Sequence, residues 1–260
     1  MAREAFDVPW VFVRLQRQYF GFSTADVREM LSVPEVCGAP DLPAHVRGMI
    51  TLRDRVLPLI DLRARLGMTP VAQETEELCK FIELRAEDHR RWVRELEASI
   101  RESRPFTLAL DPHKCAFGKW YDVMKTDNTV LAGQLHRIDQ PHQQVHRKGV
   151  QALELARTQG AETALARVRE IEAGDVATVC ALMDETQDLL RKSAREIALV
   201  VEMAGRQFAI TVDHVECVER IDPDRVDALP DHAATADIVS AIARRTRDDS
   251  IVMLLDAGRL

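Results

Sequence analysis

The sequence predicts an α+β protein: a β domain, discontinuous along the chain, interrupted by an inserted helical bundle. Three observations predict this. Short runs of β-branched and aromatic residues fall near the two ends, within residues 10–60 and 196–255. Between them lie about 110 residues whose apolar positions recur with helical spacing. A cysteine and several histidines, the side chains Zn²⁺ prefers, gather inside that helical stretch between Cys115 and His146.

Size and composition bound the reading. The chain has 260 residues, 46% hydrophobic and 30% charged, which is enough for one large core or two modest ones. A formal net charge of −7 gives no basis for nucleic-acid binding. No apolar run reaches the ~18 residues of a membrane span, and the opening MAREAFDVPW lacks the apolar core of a signal peptide. Five scattered cysteines do not form a disulfide framework. A soluble, cytoplasmic chain is expected. HEXXH, GxSxG and the phosphate-binding glycine pattern are missing, so no enzyme is expected, a histidine kinase included.

In chain order, WVFVRLQRQYFGF (10–22) predicts a strand hairpin and DVREMLSVPEV a further strand. The Pro and Gly of GAPDLPAHVRGMI mark turns. VLPLIDL is β-rich and RARLGM after it is helix-like, and the chain passes into the helical region between Glu74 and Ile82. Strands return at EIALVVE (196–202), at QFAITVDHVECVE (207–219) and at SIVMLLD. The two ends also echo each other. Phe20, Val27 and Glu29 are spaced like Phe208, Val215 and Cys217; VLPLIDL is matched by IVMLLDA, and Leu42-Pro43 by Leu229-Pro230. Such a repeat predicts two lobes of one β domain with the helices inserted between them, as insertions enter exposed loops.

Within the helical stretch, His142 and His146 stand at i and i+4, one turn apart on one face. His89 precedes Trp92 by three positions, on the face that Leu96 and Ile100 continue, so it points inward. Four helices converging on His89, Cys115, His142 and His146 would complete a Cys-His₃ set. HxxW, CxFGKWY and HxxxH together resemble the chemoreceptor zinc-binding (CZB) domain over roughly residues 82–193, and these four residues fill its motif positions. The resemblance implies a helical bundle whose Zn²⁺ is held by three histidines and a cysteine. His113 and His136 fall outside the motif and are expected at the surface. Domains are expected at 1–80 and 195–260 for the β part and 81–194 for the insertion.

The ends carry a second resemblance. HVRGMITLRDRVLPLIDLRARLG and FAITVDHVECVERI look like the CheW-like domain. That family implies a pair of small packed β-barrels, no catalysis, and a coupling role between chemoreceptors (methyl-accepting chemotaxis proteins) and a CheA-type histidine kinase. Where the family has glycine after the turn arginine, this chain reads Leu52-Arg53-Asp54; Asp adopts positive φ more readily than most residues. Arg53 and Asp213 are the expected partner-binding residues, with a turn-anchoring carboxylate the alternative for Asp213. Arg55, Arg63 and Arg65 are expected on a solvated face with Arg53.

Two functions follow as expectations. One is a coupling scaffold whose zinc module senses zinc or an oxidant such as hypochlorous acid through Cys115, whose thiolate the metal keeps deprotonated. The other is a plain adaptor in which zinc is structural, since four protein ligands leave no open position for water. That same closed shell argues against a metal-dependent hydrolase. Pairing of two chains through the zinc bundle belongs to the same resemblance.

Overall fold

The computed structural model describes residues 7–126, 128–229 and 237–260. The chain divides into two compact units: Met1–Glu74 with Ala194–Leu260, and Thr75–Ser193.

The first unit holds two sheets. Strands β1 (Trp10–Leu15), β2 (Gln18–Ser23) and β3 (Val27–Ser32) are followed by β4 (Val46–Leu52) and β5 (Arg55–Asp61). A short helix α1 (Leu62–Arg65) comes next, its N-terminus capped by the Asp61 carboxylate, which accepts from Ala64 N–H. After the insertion come β6 (Ile197–Met203), β7 (Arg206–Val212), β8 (His214–Glu219), β9 (Val226–Asp227), β10 (Val239–Arg244) and β11 (Ile251–Leu255). One sheet has the order β8-β1-β2-β11-β10-β9, the other β3-β6-β7-β5-β4.

These orders explain the internal repeat. Hairpin β1–β2 sends β3 away to pair with β6, and hairpin β6–β7 sends β8 back to pair with β1. The parallel neighbours match too: β2 lies beside β11 as β7 lies beside β5. Even the irregularities recur. Arg28 is skipped between Val27 and Glu29, and Glu216 between Val215 and Cys217. Arg47 is skipped in β4 and Ser240 in β10. Each is a β-bulge, one extra residue that bends the strand and re-aims a side chain. Pro230, half of the second leucine-proline pair, lies outside the described residues.

Alternating side chains fill the cores of this unit: Val11, Val13, Leu15, Phe20, Phe22, Leu199, Val201, Ile210 and Val212 form the largest cluster. The second unit is helical. It comprises α2 (Val71–Arg101), whose first turn belongs to the β unit, α3 (Ala116–Tyr121), α4 (Thr129–Thr158), α5 (Ala161–Glu170) and α6 (Ala177–Ser193). A π-helical turn, Ile171–Val176, joins α5 to α6 and presents Asp175 to Lys148 Nζ at 2.6 Å. Buried residues Cys79, Ile82, Ala86, His89, Trp92, Val93, Leu96 and Ile100 make one stripe along α2. It packs in a single core with Leu131, Leu135, Ile138, Val145 and Ala152 of α4 and Val179, Met183 and Leu190 of α6. Among the described residues no helix is long and apolar enough to cross a membrane.

Candidate metal centre

Three segments of the helical unit bring the four predicted ligands together. His89 sits on the buried stripe of α2, three residues before Trp92. His142 and His146 occupy the buried face of α4, just after Pro141. Cys115 is the N-cap of α3, and its sulfur accepts the Gly118 N–H at 3.2 Å. The donors thus come from two helices and one helix cap, where four helices were expected. One ligand atom from each residue lies within 4.8 Å of the others. The Cys115 sulfur is 3.2 Å from His142 Nε2. Tetrahedral bonds of about 2.0–2.3 Å would set ligands about 3.3–3.6 Å apart, so closure on one Zn²⁺ takes side-chain shifts of about 1 Å.

The surroundings orient each donor. His89 Nδ1 lies 2.6 Å from the Arg85 carbonyl, which fixes the proton there and leaves Nε2 as a lone-pair donor. That Nε2 is buried and has no hydrogen-bond partner. His146 is likewise buried with no partner for Nδ1 or Nε2; the Ala109 and Leu110 carbonyls favour its charged form without closing a hydrogen bond. Phe117 packs edge-on to His142 with centroids 4.9 Å apart, and Trp92 to His146 at 5.1 Å. The Trp92 indole N–H donates to the Ala109 carbonyl at 2.8 Å, tying the loop that leads to Cys115 onto α2.

Burial sets the protonation of the cluster. Desolvation, reinforced by the neighbouring histidines, pulls His142 down to about 3 and His146 to about 4. His89 is lowered by burial too. Three neutral imidazoles are the state that binds a metal. The Cys115 thiol is raised by burial, opposed by the Gly118 and Phe117 N–H groups; a divalent cation reverses such a shift outright. Unpartnered buried nitrogens converging on a sulfur are costly unless something binds them. The donor set therefore fits Zn²⁺. Among the four, the histidines are buried and Cys115 is partly buried. His113 and His136 are exposed.

The other expected site residues lie in the β unit. Arg53 and Asp54 form the two-residue turn between β4 and β5, with φ of 45° and 65°, the type I′ geometry that favours glycine. The Arg53 side chain is 80% exposed and donates to Glu29 at 2.8 Å. It borders a groove of about 540 Å³ lined by Arg28, Glu29, Leu52, Arg55, Leu57 and Gln207. Asp213 faces inward instead. It receives two bonds from Arg63, at 2.9 and 2.5 Å, and the Gln16 N–H at the β1–β2 turn, 2.7 Å. The expectation of a solvated arginine face holds for Arg53 and Arg55, but Arg63 is buried in this network and Arg65 pairs with Asp237. Sequence spacing carried no sign of the Arg63–Asp213 pair, whose members are 150 positions apart.

Comparison with known proteins matches this layout. The profile of the CheW-like domain matches residues 9–91 and 150–260, and that of the chemoreceptor zinc-binding domain matches 89–153. The probable chemotaxis protein CheW of Rhizobium etli is 44% identical over 57 residues, 22% of this chain and 37% of the relative. The chemotaxis protein CheW of Treponema pallidum is 31% identical over 80 residues, 30% of this chain and 47% of the relative. The chain thus spans less than half the length of these curated relatives. A crystal structure of the scaffolding protein TtCheW from Thermoanaerobacter tengcongensis superposes with a TM-score of 0.45 at 14% identity, covering 96% of this chain and 88% of that one. With the profile covering most of its β unit and a chemoreceptor zinc-binding domain set between the two parts, the chain belongs to the CheW-like family.

Proposed function

We propose that this chain is a non-catalytic coupling scaffold of chemotaxis, linking chemoreceptors to a CheA-type histidine kinase in the cytoplasm, and that its inserted helices hold one Zn²⁺ through His89, Cys115, His142 and His146. The observation that carries the reading is the convergence of these four donors, with two bare imidazole Nε2 atoms, inside an interrupted CheW-like domain. Bound Zn²⁺ would cross-link α2, the α3 cap and α4 and keep Cys115 a thiolate. The chain's own part is to present three neutral imidazoles, to steady the sulfur with the Gly118 N–H, and to leave Cys115 less buried than the histidines.

That exposure favours a sensing role over a structural staple. An oxidant of the hypochlorous-acid class reaches Cys115 more readily than the buried Cys79 and Cys180 of the same unit, and oxidation of its sulfur weakens it as a ligand. In this reading Arg53 meets the partner, and Asp213 acts behind the surface by holding Arg63 and the β1–β2 turn. Metal analysis of wild type and Cys115→Ala, beside capture of a CheA-type kinase, tests it. One zinc per chain, lost in the variant together with a change in kinase capture, supports the sensing scaffold. Zinc lost with capture unchanged leaves a staple in an adaptor, and no zinc in the wild type removes the metal reading. Light scattering of the same samples shows whether the bundle pairs two chains.

A further inference from the structure

We propose that two arginine–glutamate clasps, one at each end of the insertion, transmit the metal state of the helices to the Arg53 turn. The inference rests on the reading above that the helices bind zinc and that this turn meets a partner.

The first clasp is built on Arg63, whose side chain is 8% exposed. Its guanidinium donates to both Asp213 oxygens, to the Thr69 carbonyl at 3.1 Å, and to the Glu74 carboxylate. Glu74 stands in the first turn of α2, and His89 lies further along the same unbroken helix. The second clasp joins Glu196, 7% exposed and one residue before β6, to Arg47. The Glu196 carbonyl also accepts the Val33 N–H at 3.4 Å. Arg47 is the extra residue of the β4 bulge, which aims its side chain out of the regular ladder.

The two clasps therefore grip opposite strands of one hairpin. Arg47 belongs to β4, and Arg63 follows β5 directly through the Asp61 cap. The turn between β4 and β5 is Arg53-Asp54. The second half of the β unit serves as an internal comparison. There the equivalent bulge residue is Ser240, whose hydroxyl bonds Leu254 of its own hairpin, and no insertion adjoins it. Arginine and a buried glutamate occur where the helices join and a serine where they do not. In each clasp one member is buried, Arg63 in the first and Glu196 in the second, and a buried charge holds to its partner because it is poorly solvated alone; pairs with both members exposed do not. A change in packing along α2 or α6 shifts Glu74 or Glu196, and the clasps turn that shift into relative movement of β4 and β5.

Hydrogen exchange on the full chain, zinc-loaded and chelator-stripped, tests this. In wild type, stripping should speed exchange across residues 46–61 about threefold or more, beside the larger rise expected within 75–193. Arg47→Met combined with Glu196→Gln removes both charges without stranding either, and Glu74→Gln leaves Arg63 its Asp213 partner. With all three changes the chain should still bind one zinc and keep the response within 75–193 while losing that of 46–61. A full 46–61 response in the variant, or a zinc-loaded wild type whose 46–61 segment stays silent on stripping, overturns the clasps alone. A wild type without zinc overturns the metal reading and the clasps with it.

Discussion

Gly118 has no room for a side chain. A Cβ there would stand 1.9 Å from the Pro112 carbonyl oxygen, a backbone atom that cannot swing aside. The contact is part of how Cys115 is aimed: the same residue gives its N–H to the sulfur, and the Asp111 carboxylate caps the 3₁₀ turn Pro112–Lys114 just before it. Gly118→Ala should push α3 off this turn, cost about 1–3 kcal/mol of stability in the helical unit as overpacking does, and lower zinc content; thermal unfolding with metal analysis checks it. A quieter residue sets a pH dependence in the β unit. Burial raises the Asp26 carboxyl above its ordinary value, with Asp256 adding to the rise and Arg28 opposing it. A raised carboxyl favours folding while protonated, and that contribution is lost as pH climbs through its folded pKa. Asp26→Asn should therefore melt higher than wild type at pH 7, and the gap should close toward pH 4. A gap that widens on acidification would reverse the assignment.

At the scale of elements, the β4–β5 hairpin carries a turn with two residues at positive φ and no glycine. Replacing Asp54 by Gly relieves the second of these and should raise stability by about 0.5–1 kcal/mol, read as a higher denaturant midpoint, with Arg53 left in place to bond Glu29. The need for positive φ at Asp54 was legible from Leu52-Arg53-Asp54 because a two-residue turn is local chemistry. So were the three histidines: HxxW and HxxxH place side chains by helix period, and His89 could be put on the inner face by counting to Trp92, while the resemblance to the zinc-binding domain was needed to settle Cys115 as the fourth member. Strand partners were not. β3 leaves the β1–β2 hairpin before it to pair with β6, and nothing in the alternation of VREMLS says which strand lies beside it. The π turn at Ile171–Val176 was hidden for a related reason, since IEAGDV continues a helical pattern and its Lys148–Asp175 contact comes from another helix. Arg63 and Asp213 illustrate the same limit for charges: each looks like a surface residue until the fold sets them side by side.

At the scale of the whole molecule, the two units have separate cores. The largest cluster of the helical unit draws only on residues between Leu78 and Leu190, and the three clusters of the β unit only on residues outside Thr75–Ser193. Separate cores predict separate cooperative transitions. The four proposed zinc ligands belong wholly to the helical unit, and in small zinc modules ligation supplies about 10–16 kcal/mol of apparent binding energy. That equals or exceeds the roughly 5–15 kcal/mol by which a whole domain is normally stable. Stripping the metal should therefore lower the transition of the helical unit by more than about 10 °C, given that about 1 kcal/mol moves a domain of this size by several degrees. The clasps load one hairpin of the β unit and leave its cores untouched, so its transition should move by a few degrees at most. Calorimetry of the full chain with and without a strong chelator reads both at once. Two transitions of which one falls on chelation would show a metal-controlled module within a stable scaffold. A single transition that falls as a whole would mean that the cores, though built from different residues, melt as one, and that metal loss disables the scaffold instead of adjusting it.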